Sequence, residues 1–287
     1  MKSFDRRVVV ITGAASGIGR SLAVQLAGMG ATLAIADMNL EGMAQTRQLA
    51  EAAGARCSTH KLDVADREAF EAFARDVISE HGEVHAIFNN AGVTLVDSVE
   101  NQSYEDFNWL MNINFWGVVH GTRAFLPYLK QEDEAHIVNI SSVFGILAMP
   151  LQSAYNSSKF AVRGFTEALK MELAGSPIQV SCVHPGGIKT GIAQNSRMNE
   201  KTLGAPQEEL KAEFDAKART TADEAAAIII RGVLKNKRRI LVGADAKIMS
   251  LVTRLFPGSY EKLLGIERGV RARRKERLEQ AAKSAAL

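Results

Sequence analysis

The sequence predicts an α/β fold, in which one doubly wound parallel sheet of about seven strands is covered by helices on both faces. Val- and Ile-rich runs alternate with longer amphipathic stretches along most of the 287 residues. Hydrophobic residues make up 46% of the chain, enough for a large core, and no repeat or low-complexity linker divides it. Such alternation is typical of βαβ units with right-handed crossovers. We therefore predict one domain over residues 1–243, followed by a helical extension over 244–287.

Hydrophobic periodicity justifies each element. Short apolar, often β-branched runs predict strands, and apolar residues recurring every three or four positions predict helices. In the stretch 66–82, for example, Phe70, Phe73 and Val77 share one helical face. The predicted strands are 7–12, 31–37, 55–62, 84–90, 135–141, 178–185 and 238–243. The predicted helices are 17–29, 39–53, 66–82, one within 103–129, one around 153–162, and one that the capping box 221–224 opens.

Composition and charge exclude several classes of protein. No apolar run reaches the roughly 18 residues that a membrane-spanning helix needs. The two cysteines, Cys57 and Cys182, are too few and too scattered for a disulfide framework or a metal site. We therefore expect a cytoplasmic protein without a bound metal. The net charge is +3, but residues 231–287 carry 15 Lys and Arg against 5 Asp and Glu, so the basic character lies at the C-terminal end.

Two segments lie outside the regular alternation. The long stretch 186–206, with several glycines and polar residues, is predicted to be a lid. In 245–256, Ile248, Leu251 and Leu255 share a helical face, and 267–280 is strongly basic. This basic amphipathic extension is interpreted as a helix packed on the body or on a dimer partner, followed by a solvated tail. Peripheral contact with an anionic membrane is the alternative, and no nucleic-acid binding is expected, because a recognised module is absent.

The stretch TGAASGIG, residues 12–19, joins the first strand to the first helix. Gly13 permits a tight turn, Gly17 lets a pyrophosphate approach the backbone, and Gly19 allows close packing of helix on strand. The N–H groups at the start of the helix then face the phosphates. A merely flexible turn is the alternative, but this position favours a Rossmann-type dinucleotide site.

Asp37 ends the second strand, where an acidic side chain can bind the ribose 2′-hydroxyl of NAD. The same carboxylate would repel the 2′-phosphate of NADP, and no Lys or Arg follows it directly. NAD is therefore the expected cofactor and NADP the less favoured one. Asp37 can also be read as the N-cap of helix 39–53.

Tyr155 and Lys159 stand one helical turn apart, so their side chains leave the same face. A free phenol, with a pKa of about 10, is almost fully protonated at neutral pH. A nearby ammonium and a cationic nicotinamide favour the phenolate and lower that pKa. If this face lines a cleft, Tyr155 is a candidate general base for removing an alcohol proton.

The spacing Gly-x-x-x-Gly-x-Gly occurs here with NNAG (89–92), NISS (139–142), the Tyr155/Lys159 pair and HPGGIKT (184–190). Together these motifs resemble the short-chain dehydrogenase/reductase family over about residues 5–243. The resemblance implies an NAD(P)-dependent oxidoreductase, usually a homodimer or homotetramer.

The resemblance also implies a role for each matching residue. Ser142, with Ser141 as the alternative, would hydrogen-bond the substrate oxygen, and Asn114 would hold a water that relays protons from Lys159. The implied catalytic set is Asn114, Ser142, Tyr155 and Lys159. The implied cofactor-binding residues are Gly13, Ser16, Gly17, Ile18, Gly19, Asp37, Asp63, Val64, Asn90, Ala91, Gly92, Tyr155, Lys159, Pro185, Gly186, Ile188 and Thr190. His184 and Cys182 are interpreted as structural.

We expect an NAD-dependent enzyme that interconverts a secondary alcohol and a ketone. The loops 93–97, 145–152 and 186–206 would ring the substrate with apolar side chains and offer no cluster of cations for a phosphate. The side chains expected there are Leu95, Val96, Ile146, Leu147, Met149, Leu151, Ile192, Met198 and Leu203. An apolar substrate, hydroxysteroid-like or of medium chain length, follows. The alternatives are an NADPH-dependent carbonyl reductase and, from another class, a non-catalytic nucleotide-binding or membrane-associated scaffold.

Overall fold

A computed structural model of the protein describes residues 1–190, 196–199, 212 and 218–266. Much of the predicted lid, 186–206, and the basic tail from residue 267 lie outside the described residues.

Seven parallel strands form the main sheet within the described part of the chain: β1 (Val8–Thr12), β2 (Thr32–Asp37), β3 (Cys57–Lys61), β4 (Ala86–Asn89), β6 (Ala135–Ile140), β7 (Ile178–Pro185) and β11 (Arg239–Val242). Their order across the sheet is β11-β7-β6-β4-β1-β2-β3. Two parallel two-stranded pairs lie beside it: β5 (Leu95–Val96) with β9 (Arg197–Met198), and β8 (Ile188–Lys189) with β10 (Thr220–Thr221). The predicted doubly wound sheet is confirmed.

Helices connect the strands. The described helices are α1 (Gly17–Ala27), α2 (Leu40–Ala52), α3 (Arg67–His81), α4 (Tyr104–Met111), α5 (Gly117–Leu129), α6 (Ser153–Glu172), α7 (Ala222–Leu234), α8 (Ala244–Leu255) and α9 (Tyr260–Leu263). The capping box predicted for α7 is present, because Thr221 and Glu224 bond each other's backbone N–H groups at 3.2 and 2.8 Å.

The core lies on both faces of the sheet. Val9 and Ile11 of β1 belong to one apolar cluster, and Val10 between them belongs to the other. Successive side chains of a strand point to opposite faces, so an unbroken apolar run such as VVVIT needs cover on both sides. This is why the strands are continuous Val- and Ile-rich runs.

The strand order reverses at β1, which pairs with β2 on one side and with β4 on the other. At such a reversal the loops after neighbouring strands leave in opposite directions and open a crevice at the carboxyl ends. The glycine loop follows β1 and the NNAG motif follows β4, so both predicted cofactor motifs lie at this crevice.

The helix predicted within 103–129 is continuous but contains a π-helical turn over Asn112–Trp116, between α4 and α5. The sequence gives no signal for this turn. The two-residue strands were also not predicted, because two residues are too short to show a period. No helix of the described residues is both long and apolar enough to cross a bilayer.

The extension beyond β11 is only partly covered by the body of this single chain, and packing against a dimer partner stays a prediction. Ala246 of α8 is buried, whereas Ile248, Leu251 and Leu255 are 58 to 60% exposed. Tyr260 of α9 accepts a hydrogen bond from the Ala148 N–H at 3.3 Å, which ties α9 to the loop before α6.

Candidate active site

One cavity of about 1300 Å³ opens at the carboxyl ends of the central strands. It is lined by residues from the glycine loop, the ends of β2 and β4, the turn after β6, the start of α6 and the end of β7. The structure therefore brings the predicted cofactor residues and the predicted catalytic residues into one space. Of the predicted set, Asn114 and Gly19 do not line the cavity and lie just behind its wall.

The three glycines meet the geometry that the sequence predicts. Gly13 and Gly17 have φ values of +66° and +53°, which disfavour a side chain. A Cβ at Gly19 would come within 2.1 Å of the Gly13 carbonyl oxygen, so helix α1 can start this close to β1 only with glycine there. The N–H groups at the start of α1 therefore remain free of side-chain cover and fit a pyrophosphate.

The Asp37 carboxylate is fixed at the end of β2. One oxygen accepts a hydrogen bond from the Ala15 N–H and the other from the Asn39 N–H, both at 3.0 Å. The N-cap of α2 is Asn39, whose side chain accepts from Gly42. The interpretation of Asp37 as this cap is therefore wrong, and its carboxylate lines the cavity instead.

Asn90 and Asp63 hold loop backbone at the cavity wall. The Asn90 amide donates to the carbonyl oxygens of Thr12 and Gly13, at 2.9 and 3.1 Å, and so ties the end of β4 to the glycine loop. Asp63 accepts from the Ala65 N–H at 3.0 Å and is exposed. Both side chains still line the cavity.

Asn114 is fully buried in the π-helical turn. Its amide exchanges two hydrogen bonds with the Val93 backbone, at 2.8 and 2.9 Å, which ties the turn to the loop after β4. A Cβ at Gly92 would lie 3.2 Å from the Asn114 side-chain oxygen and 3.4 Å from Lys159 Nζ. Asn114 and Lys159 therefore flank the same glycine. Single-turn π-helices are frequent at functional sites.

Tyr155 and Lys159 share the cavity-facing side of α6, as the spacing predicts. Lys159 is buried, its Nζ donates to the Ile140 carbonyl oxygen at 3.1 Å, and it lies 5.6 Å from the Tyr155 ring centroid. Burial lowers the pKa of Lys159 to about 8.

Two opposing effects act on the pKa of Tyr155 in the chain alone. Burial raises it above its usual value, while a hydrogen bond with Ser142 lowers it. In the chain alone, the loss of hydration therefore outweighs the hydrogen bond, and the lowering expected with a bound cationic nicotinamide stays a prediction.

Ser141 and Ser142 have different partners. The Ser141 hydroxyl donates to the Lys159 carbonyl oxygen at 2.8 Å and is committed to holding α6. The Ser142 hydroxyl accepts from the Phe144 N–H at 3.1 Å and faces Tyr155. This arrangement favours Ser142 over Ser141 as the serine that meets a substrate.

The far end of the cavity is apolar. Four of the side chains predicted to ring the substrate line it: Val96, Met149, Leu151 and Met198. Leu95 and Leu147 are buried in the body instead, and Ile146 does not line the cavity. Ile192 and Leu203 lie outside the described residues.

Sequence reasoning missed part of this wall. Ile248 and Met249 of α8, with Leu264 and Ile266 beyond α9, also line the cavity. The apolar spacing of 245–256 predicted a helical face, but a helical face alone does not reveal which surface it approaches.

A second cluster of ionisable groups lies away from the cavity, where Glu83, His85 and Glu132 bring their ligand atoms within 4.8 Å of one another. The His85 Nδ1 atom accepts from the Val8 N–H at 3.2 Å, so the neutral ring carries its proton on Nε2. Nε2 lies 3.4 Å from Glu132, to which it can donate. This tautomer fits a histidine–carboxylate pair and leaves Nε2 without the lone pair that a metal needs.

A profile of the family described as short chain dehydrogenase matches residues 7–201, well over half of the chain. The chain belongs to this family. The short-chain dehydrogenase relatives include SadH of Mycobacterium tuberculosis, named as an oxidoreductase, which is 45% identical over 267 residues, or 92% of this chain and 96% of SadH. Estradiol 17-beta-dehydrogenase 11 of Rattus norvegicus is 31% identical over 270 residues, 92% of this chain and 84% of that protein.

A solved short-chain dehydrogenase from Burkholderia phymatum, in complex with NAD, superimposes with a TM-score of 0.83 at 32% identity. The match covers 88% of this chain and 95% of that one. This protein is thus an NAD(P)-dependent short-chain dehydrogenase, with a small molecule as its substrate.

Proposed function

We propose that this short-chain dehydrogenase uses NAD to interconvert a secondary alcohol and a ketone on an apolar substrate. The observation that carries the proposal is that one cavity holds both groups of predicted site residues. It joins the glycine loop and Asp37, at one end, to Tyr155 beneath an apolar wall at the other. A cofactor bound along this crevice and a substrate under the apolar wall would meet at Tyr155.

The residues present fit the cofactor. The start of α1 would hold the pyrophosphate, Asp37 the adenosine ribose, Asp63 the adenine, Lys159 the nicotinamide ribose, and Ile188 with Thr190 the carboxamide. The nicotinamide ring, when bound, accepts or returns the hydride.

Tyr155 would exchange a proton with the substrate oxygen. Ser142 would donate a hydrogen bond to that oxygen and favour the phenolate. With a pKa of about 8, Lys159 is mainly a cation at neutral pH, and it is the positive charge that the chain itself places near the phenol. Asn114 would anchor the solvent path behind Lys159.

The lining of the cavity supports an apolar substrate. Each buried CH₂ contributes about 0.8 kcal/mol to binding in such a pocket. A relative named for estradiol points in the same direction. An NADPH-dependent carbonyl reductase remains the alternative, and the oxidoreductase names of the relatives favour either enzyme over a non-catalytic scaffold.

We also propose a cytoplasmic homodimer or homotetramer.

The exposed apolar side chains of α8 and the basic tail support peripheral contact with an anionic membrane. Sedimentation with anionic vesicles at low salt tests this: no binding, or binding unchanged by removal of residues 267–287, would contradict it.

Tyr155→Phe tests the proton transfer. We expect kcat to fall by about 10²- to 10⁴-fold while NAD binding stays nearly unchanged, because the phenol supplies the proton transfer and little cofactor affinity. A variant with more than about a tenth of the wild-type kcat would contradict the assignment.

Assays of secondary alcohols of increasing apolar size, with NAD at saturation, test the substrate class. kcat/KM should rise along the series up to a ring system or a medium-length chain. A best substrate that carries phosphate would contradict it.

A further inference from the structure

Strands β6 and β7 lead into the two halves of the candidate site, and their hydrogen-bond ladder stops just before it. The Ser141 N–H donates to the Val183 carbonyl oxygen at 2.8 Å. The next backbone donor on this side of β7 would be that of Pro185, opposite the Ser141 carbonyl, but proline has no N–H. The ladder therefore ends before Ser142.

Beyond the end of the ladder, a side chain of β7 holds the Ser142 carbonyl. The His184 Nδ1 atom lies 2.9 Å from the Ser142 carbonyl oxygen, and the residue is fully buried. A carbonyl oxygen only accepts hydrogen bonds, so Nδ1 must carry the proton. Nε2 then has no hydrogen, and it has no partner among the described residues. Burial lowers the pKa of His184 to about 4, so the neutral ring persists over the working range of pH.

The hydrogen bond from His184 to Ser142 joins two parts of the cavity wall. His184 immediately precedes Pro185 and Gly186, which line the cavity on the side proposed for the nicotinamide. Ser142 lines it on the side proposed for the substrate oxygen. This hydrogen bond therefore links the two walls beyond the last backbone bond of the ladder.

We propose that His184 is a positioning residue, whose Nδ1–H holds the Ser142 carbonyl and so keeps the Ser142 hydroxyl directed at Tyr155 and the reacting oxygen. The proposal rests on the proposed function, which gives Ser142 its task. It assigns no proton transfer to His184 and no metal.

Three variants distinguish the roles of the two ring nitrogens of His184. The side-chain NH₂ of Asn can reach the position of Nδ1, whereas that of Gln reaches the position of Nε2, and Leu keeps the bulk with no donor. His184→Asn should restore the bond to Ser142. His184→Gln and His184→Leu should not.

The wild type and the three variants are compared by kcat, by KM for NAD and by the pH dependence of kcat/KM. We expect kcat of H184L and H184Q to fall by between about 10- and 100-fold, the scale of a misplaced reacting group. KM for NAD should stay within about twofold, and H184N should keep at least about a third of the wild-type kcat.

The pH profile separates positioning from a merely structural role. Ser142 lowers the pKa of Tyr155 through its hydrogen bond. If Ser142 is displaced in H184L and H184Q, the part of the kcat/KM curve that reflects ionisation of Tyr155 should move to higher pH. In H184N this part of the curve should lie at the wild-type pH. A folded H184L with the wild-type kcat and profile, or an H184N as impaired as H184Q, would overturn the proposal.

Crystal structures of H184N and H184Q give a readout that needs no turnover. The Ser142 carbonyl and hydroxyl should keep their places in H184N and shift in H184Q. An unshifted Ser142 in H184Q would overturn the positioning role, even if H184L does not fold. A wild type that turns over no alcohol or ketone would instead contradict the proposed function.

Discussion

Lys159 destabilises the folded chain in its charged form. Its pKa falls from 10.5 to about 8 on burial, so below pH 8 the folded chain carries a cost of roughly 3 kcal/mol for the buried cation. This cost disappears as the pH rises from about 8 to 10.5, because only the unfolded chain then still binds the proton. A functional requirement for a cation would explain why such a residue is kept.

Lys159→Met should therefore raise the stability at pH 7. Loss of the hydrogen bond to Ile140 destabilises the variant by about 1 kcal/mol. The net gain in the free energy of unfolding is therefore about 2 kcal/mol. Thermal unfolding at pH 7 and pH 10 is the measurement, with the exposed Lys237→Met as control. A gain equal at both pH values would contradict the buried-cation explanation.

Asp37 should set the cofactor preference, because its carboxylate would face the 2′-phosphate of NADP. We expect kcat/KM to favour NAD by at least about tenfold, since like charges brought together cost several kcal/mol. Asp37→Ala should lower the ratio of kcat/KM with NAD to kcat/KM with NADP, measured with both cofactors at one pH.

Asp63→Ala is the matched control, because Asp63 is an exposed carboxylate on the same cavity. Asp63→Ala should weaken the binding of NAD and of NADP by the same factor. Equal kcat/KM values in the wild type would show that Asp37 has another role.

Among the secondary-structure elements, every strand of the main sheet was predicted from the sequence. Strands that are buried on both faces have continuous apolar sequences, which are easy to recognise. The sequence also predicted the pairing of Tyr155 with Lys159 and the glycine geometry, since both depend on local spacing. The π-helical turn that places Asn114 could not be predicted, because its bonds to Val93 join segments 21 residues apart. Nor does any local pattern place Met249 at the cavity.

Helix α8 should limit the size of the substrate. Met249→Trp fills the apolar end of the cavity and should lower kcat/KM for the longest apolar alcohols by about tenfold or more, leaving short ones unchanged. Leu251→Trp, on the exposed side of the same helix, is the control. Equal losses for long and short substrates would show that Met249 does not line the substrate pocket.

At the scale of the whole molecule, two buried histidines make the fold sensitive to acid. Burial lowers the pKa values of His136 to about 3 and of His184 to about 4, against 6.5 in the unfolded chain. Their contribution to stability is fully present above pH 6.5 and is lost as the pH falls towards the folded values.

Between pH 6.5 and 4.5 we expect each histidine to lower the free energy of unfolding by roughly 2 kcal/mol, as measured by chemical denaturation. His136→Gln can keep the bond to Ser181 and does not titrate, so its stability should depend less on pH over this range. Parallel curves for the variant and the wild type would contradict this origin of the acid sensitivity.

The central position of β1 has a consequence for synthesis on the ribosome. β1 and β2 emerge first, but the second edge of β1 stays unpaired until β4 is made, more than 70 residues later. Each later strand then covers the edge left by the one before, out to β11. Unpaired apolar edges recruit other chains. We expect nascent chains that stop between β3 and β4 to be held by chaperones, and those that extend past β11 to be released.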